Sequence, residues 1–133
     1  MTDNENQTLS AVRMEKADEN LIAAKSLISS GSYRIATTRT YYAVFHAMRS
    51  VLAFDGIDRK HHSAVIAEFR RLYIRTGLIS KSQSETISKL SDLRSDSDYD
   101  DFFIVTEEEA IEALNKAEVF VSEIKNYLIK RNG

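Results

Sequence analysis

The sequence predicts an all-α protein, a compact up-and-down bundle of four to five helices, and three observations carry that prediction. The 133 residues contain no proline and only four glycines, which removes the punctuation of β-rich chains and favours long uninterrupted helices. A composition 43% hydrophobic and 29% charged suits one soluble domain with a single core. Five stretches carry apolar residues at helical spacing, and together they leave no room for a sheet or a long spacer.

The elements follow in chain order. Residues 1–8 are polar and are expected to form a disordered tail, with residues 9–133 forming the single helical domain. From Leu9 to Ser30, the stripe Met14, Ala17, Leu21, Ala24 and Ile28 marks a first helix. Ser32 caps a second, reaching Phe54, whose core face is Ile35 or Ala36, Thr40 or Tyr41, Val44, Ala47 or Met48, and Val51. The loop DGIDRKHH leads to a third helix over Ser63 to Thr76. Ser82 with Glu85 reads as a capping box for a fourth, and Thr106 with Glu109 for a fifth, where Val105 and Ala110 add a hydrophobic staple. The last helix places Ala110, Leu114, Ala117, Val121, Ile124 and Leu128 in alternating steps of four and three, a narrow seam for packing along a neighbour. Gly31, Gly56 and Gly77 each follow a helical stretch where a left-handed C-terminal cap is needed.

Composition also excludes functions. The chain has no cysteine, so disulfides and thiolate metal sites are absent, consistent with a reducing cytoplasm. No apolar run has membrane-spanning length, and MTDNENQ lacks the basic start and apolar middle of a signal peptide. A formal charge of −2 argues against a globally basic nucleic-acid coat and leaves such work to a local patch. No cofactor or metal is indicated: His61 and His62 are adjacent, adjacent residues seldom converge on one ion, and a cap or a bond across the loop is their simpler role.

The segment RSDSDY, Arg94 to Tyr99, is the densest chemistry in the chain. Arg94 follows the apolar rhythm Ile87, Leu90, Leu93, so its guanidinium should emerge beside the core with Asp98 and Tyr99 one turn on. It can grip phosphate bidentately or be neutralised by Asp98 as an i,i+4 ion pair. Arg94, Asp98 and Tyr99 are the candidate catalytic residues, expected to lie near one another. A second candidate surface runs along the second helix, where Arg39, Tyr42, His46 and Arg49 align on one side. Arg39, Tyr42, His46 and His62 are the candidate ligand-binding residues. They suit base stacking and phosphate neutralisation, or a dimer contact, or simply a satisfied polar face. Arg70, Arg71 and Arg75, with Arg59 and Lys60, form the densest basic patch, either a solvated helix face or an RNA-backbone contact.

The order SYRIATTRTYYAVFHAMRSVL, then HHSAV, then RSDSDY, then TEEEAIEALNKAEVFVSEI resembles the HEPN domain superfamily, in particular its small stand-alone prokaryotic members, over residues 9 to 130. That resemblance implies a bundle of four or five helices, frequent homodimerisation, and pairing with a minimal nucleotidyltransferase in toxin–antitoxin modules. In ribonuclease members it implies an arginine, four to six residues, then a histidine, the pairs of two subunits meeting at the dimer interface to cleave RNA. Arg94 matches the arginine, but Tyr99, Asp100 and Asp101 stand where the histidine would be. A tyrosine, with a pKa near 10, is a poor general base at neutral pH, so the motif reads as degenerate. In some active members a tyrosine two residues past the histidine is modified by the partner transferase, and Asp101 holds the equivalent position here.

Three functions are therefore expected in order. The first is a module that binds a nucleotide, an RNA or a partner nucleotidyltransferase. The second is a metal-independent endoribonuclease toxin with a displaced histidine, and the third is a structural dimerisation domain.

Overall fold

The computed structural model describes residues 2–132. Among the described residues five α-helices follow one another without strands: α1 (Asp3–Ser29), α2 (Tyr33–Phe54), α3 (His62–Phe69), α4 (Ser82–Tyr99) and α5 (Glu107–Asn132). α2 is the central element. Thirteen of its 22 residues are buried, because small and apolar side chains occupy more than one of its faces. α1 packs antiparallel to it, with Ser10 against Ser50 at one end and Asn20 against Arg39 at the other. α4 is also antiparallel to α2, matching Thr37 with Ser97 and Tyr42 with Arg94. α5 runs parallel to α2, from Tyr33–Glu107 to Asp55–Arg131.

The core joins Tyr41, Val44, Met48 and Val51 of α2 to Val65 and Phe69 of α3, Ile87 and Leu90 of α4, and Ala117, Phe120, Val121 and Ile124 of α5. Ala17 and Ala24 are fully buried in α1, where their short side chains let the backbones of α1 and α2 approach. The α5 seam is buried from Ala110 to Ile124, with Leu128 partly covered. On α2 the choice between neighbours is settled for Ala36, since Ile35 is 57% exposed.

Several boundaries differ from the sequence expectation. α1 begins at Asp3, inside the stretch expected to be a disordered tail. Thr2 and Glu5 form a reciprocal capping box there, with Glu5 N donating to Thr2 Oγ1 at 3.1 Å. Asn6, Ser10 and Arg13 then bury polar groups against α2 and the following loop. Met1 of that tail, and Gly133, lie outside the described residues. The third helix does not run uniformly to Thr76: after Phe69 it widens into a π-helical turn over Arg70–Ile74. Ser82 is not a cap. The chain is already helical at Lys81, because Glu123 of α5 fixes Ser80 through both its amide (2.7 Å) and its hydroxyl (2.9 Å). The Thr106–Glu109 box does form, at 3.1 and 3.2 Å. Gly31, Gly56 and Gly77 all have φ between 76° and 82°, as their capping positions require. No helix among the described residues is long and apolar enough to cross a membrane.

Candidate phosphate-binding face on α2 and α4

The α2–α4 seam sets the site. Thr37 and Ser97 are buried with their hydroxyls 3.2 Å apart, a contact between small side chains that brings the two backbones close. About one turn along each helix, Arg94 therefore reaches α2, and its Nη2 donates to the Tyr42 hydroxyl at 3.2 Å. The guanidinium lies over two rings at once, 5.3 Å from the centroid of Tyr41 and 5.4 Å from that of Tyr42. Its Nε is 3.1 Å from Asp98 Oδ2, close enough for an ion pair but not aligned as a hydrogen bond. Both partners keep solvent contact, the Arg94 side chain 25% and the Asp98 side chain 33% exposed.

Tyr99 does not join them. It is 79% exposed, because a residue five positions from Arg94 projects well around the helix from it. The phenol beside Arg94 is that of Tyr42, 52 residues away in sequence on another helix. The expected trio thus reduces to Arg94 and Asp98, with Tyr42 in the place foreseen for Tyr99.

His62 does join the cluster. Its Nδ1 is 2.9 Å from the Tyr41 hydroxyl, and its ring stacks on Phe45 at 4.1 Å between centroids. The Tyr42 ring meets it edge-on at 5.6 Å. Burial, then the charges of Arg94 and Arg49, hold the imidazole below its usual pKa, so it is neutral at pH 7. Burial likewise raises the Tyr41 phenol, which serves as a hydrogen-bonding group rather than an ion. Tyr41 was read from sequence only as a core position; its partner could be recognised only once the loop 55–61 returns His62 to α2.

Arg39 also lies against Tyr42, 5.1 Å from the ring centroid, and donates to Asn20 Oδ1 at 3.2 Å. His46 is half-buried one turn further on, its ring 6.1 Å from that of Tyr42. Three of the other basic candidates are committed elsewhere. Arg71 and Arg59 pair with Glu68 at 3.1 and 3.5 Å. Arg70 donates to Ser84 O and Ser88 Oγ at 3.0 and 2.7 Å. Arg59, Arg70 and Arg71 of that patch are therefore tied down, while Arg75 and Lys60 are exposed. Among the described residues no three His, Cys, Asp or Glu side chains converge as a metal site requires.

Fold and cluster together define a small α-helical bundle domain with one cationic, aromatic-lined face. The HEPN domain family matches residues 10–127, and the chain belongs to that family. Two proteins of Methanocaldococcus jannaschii, each named "Putative toxin", are similar to it. One is 33% identical over 90% of this chain and 81% of its own length; the other is 38% identical over 86% and 85%. A UPF0332 protein of Thermotoga maritima is 28% identical over 94% of this chain and 95% of its own.

Proposed function

We propose that this HEPN protein is a toxin-type module that binds a nucleotide or RNA strand through phosphate on the Tyr42 face, working as one half of a toxin–antitoxin-like pair. The observation that carries the reading is the placement of two guanidiniums, Arg39 and Arg94, 5.1 and 5.4 Å from one phenol ring, with Asp98 balancing only the second. Such a face offers a stacking surface and charge for an anion in the same few ångströms. The names of the Methanocaldococcus relatives support the toxin-type assignment. The natural partner class is a minimal nucleotidyltransferase, and the exposed apolar residues Tyr99, Phe102, Ile104 and Ile35 suit self-association into a homodimer. The test is binding of a fluorescent single-stranded RNA to the parent, Arg39→Ala and Arg94→Ala proteins. Both substitutions should weaken it several-fold, and equal affinity of all three would overturn the reading.

A second reading, a metal-independent endoribonuclease, is favoured by one feature: His62 is neutral and shares the Tyr41–Tyr42 cluster with Arg94. There the imidazole would take the 2′-hydroxyl's proton as the O2′–P bond forms, and Arg94 would stabilise charge on the phosphoryl oxygens. The P–O5′ bond would break to leave a 2′,3′-cyclic phosphate, the departing 5′-oxygen taking back that proton from the imidazolium. Cleavage of mixed RNA in the presence of chelator, lost in both Arg94→Ala and His62→Ala, would establish it in place of simple binding.

A further inference from the structure

Beyond Arg94, α1 and α2 bring together a second group of charges, which shares Arg39 with the Tyr42 face. Because the helices are antiparallel, two contacts fix their register. Arg13 Nη1 lies 3.4 Å from the Arg49 carbonyl oxygen, and Asn20 Oδ1 accepts from Arg39 at 3.2 Å. Lys16 falls between Arg13 and Asn20 on the same stripe of α1, which places it opposite His46, itself between Arg39 and Arg49 on α2. Four cations thus surround one imidazole.

Their charge is not balanced within the group. Arg13 and Arg49 share a single carboxylate, Asp58, at 3.0 and 2.8 Å. Arg39 is held by a neutral amide, and Lys16 is exposed. Two polar atoms are also buried without a protein partner, Nδ1 of His46 and Nε of Arg49. Phe45 supplies an apolar wall, its ring 5.7 Å from that of His46 and 5.9 Å from the Arg49 guanidinium. Excess positive charge beside a partly desolvated floor is what a tetrahedral oxyanion needs.

We infer that Lys16, Arg39, His46 and Arg49 form a phosphate-binding site between α1 and α2, distinct from Arg94, that takes the phosphoryl group of a 5′-nucleotide or of a nucleic-acid backbone. His46 lies one turn beyond Tyr42, about 6 Å along the helix axis, so a strand seated on the Tyr42 face would pass this second site. The two assignments share Arg39 and remain separable through Arg94, which belongs to the Tyr42 face alone. The same cations and burial explain why the imidazole is held neutral, its pKa lowered to about 4. An anion there would offset that repulsion and restore proton affinity.

The experiment is an NMR titration of the His46 imidazole at constant ionic strength, with potassium chloride as the control anion. Its arms are inorganic phosphate, a 5′-nucleoside monophosphate and a short single-stranded RNA. A rise of His46 towards the ordinary histidine pKa by one unit or more with any of the three, but not with chloride, supports the site. Response to RNA alone identifies a backbone ligand, and response to the small phosphates alone identifies a terminal phosphate. The response should shrink at least tenfold in affinity in Lys16→Gln, an exposed position whose replacement leaves the core untouched. No shift with any phosphate, an equal shift with chloride, or full retention in Lys16→Gln would overturn the site. Arg94→Ala should weaken RNA binding yet leave the inorganic phosphate response at His46 intact, so failure of the Tyr42 reading and failure of this one give different results.

Discussion

Arg94 of α4 donates to the hydroxyl of Tyr42 on α2 across 3.2 Å while its guanidinium rests on the rings of Tyr41 and Tyr42. This one residue joins the two helices that build the candidate face. Its stability role follows from adding modest parts: a half-exposed ion pair contributes at most about 1 kcal/mol, and each ring contact about 0.5–1 kcal/mol. Arg94→Ala should therefore cost about 1–3 kcal/mol in urea unfolding. Tyr99→Ala should stay within about 0.5 kcal/mol of the parent, as for other exposed side chains. A larger loss at Tyr99 than at Arg94 would reverse the assignment of the partner phenol.

Binding should be strongly salt dependent although the chain is acidic overall, with 20 carboxylates against 18 lysines and arginines. A net negative protein gains little from nonspecific attraction, so retained affinity comes from local cations. Each phosphate contacted on a single strand contributes a slope of about 0.7 in log affinity against log salt. Arg39→Gln should lower the slope by about that amount. Arg71→Gln should leave it unchanged, because Arg71 is already paired with Glu68. Affinities measured at four potassium chloride concentrations decide the point, and identical slopes in the parent and Arg39→Gln would remove Arg39 from the site.

Acid should destabilise the fold through His46. In the unfolded chain this histidine takes up a proton as the pH falls through about 6.5. In the folded protein burial and the charges of Lys16, Arg49, Arg13 and Arg39 delay protonation until about 4. The unfolded state therefore binds more protons throughout that window, and stability present above pH 6.5 is lost as the pH falls towards 4. Allowing for solvent screening at a half-buried site, the loss is about 1–2 kcal/mol. His62, also lowered, acts in the same direction. Urea unfolding at pH 7 and pH 4.5 should show the drop in the parent and a flatter profile in His46→Gln. Equal pH dependence in both proteins would assign the effect to other groups.

The helices were legible because their signals are local: the capping glycines, the Thr106–Glu109 box and the α5 seam depend on residues within two turns of one another. The stretch expected to be a disordered tail carries its own local helix signal too, Thr2 followed three residues later by Glu5, against the polarity of MTDNENQ. The candidate face was legible only in parts. Arg94–Asp98 is an i,i+4 pair and could be anticipated, as could the alignment of Arg39, Tyr42 and His46 along α2. The pairing of Arg94 with Tyr42 spans 52 residues, and that of His62 with Tyr41 spans 21. Such contacts are fixed by how helices dock, which spacing along one helix does not encode. The π-helical turn at Arg70–Ile74 is also tertiary in character. Widening the helix there lets Tyr73 and Ile74 both reach the core.

That turn leads to the last prediction. Tyr73 is almost fully buried, and its hydroxyl donates to Asp55 Oδ2 at the end of α2 and lies 3.3 Å from Val51 O. The same carboxylate receives Arg131 near the end of α5, whose Nη2 is 2.7 Å from Asp55 Oδ1 and whose guanidinium covers the Phe54 ring at 4.9 Å. Asp55 thus ties the ends of α2 and α5 to the π-helical turn that follows α3. Asp55→Ala should cost about 1–3 kcal/mol, since it removes a charge-assisted acceptor from a buried phenol and leaves Arg131 without its carboxylate. Tyr73→Phe deletes one hydroxyl while keeping the ring and the Asp55–Arg131 pair, so it should cost only about 0.5–1.5 kcal/mol. Urea unfolding of the two single variants and the double variant measures the coupling. The double variant should be less destabilised than the sum of the singles, because the phenol and the carboxylate lose the same bond. Strict additivity would show that Tyr73 and Asp55 do not act as a pair.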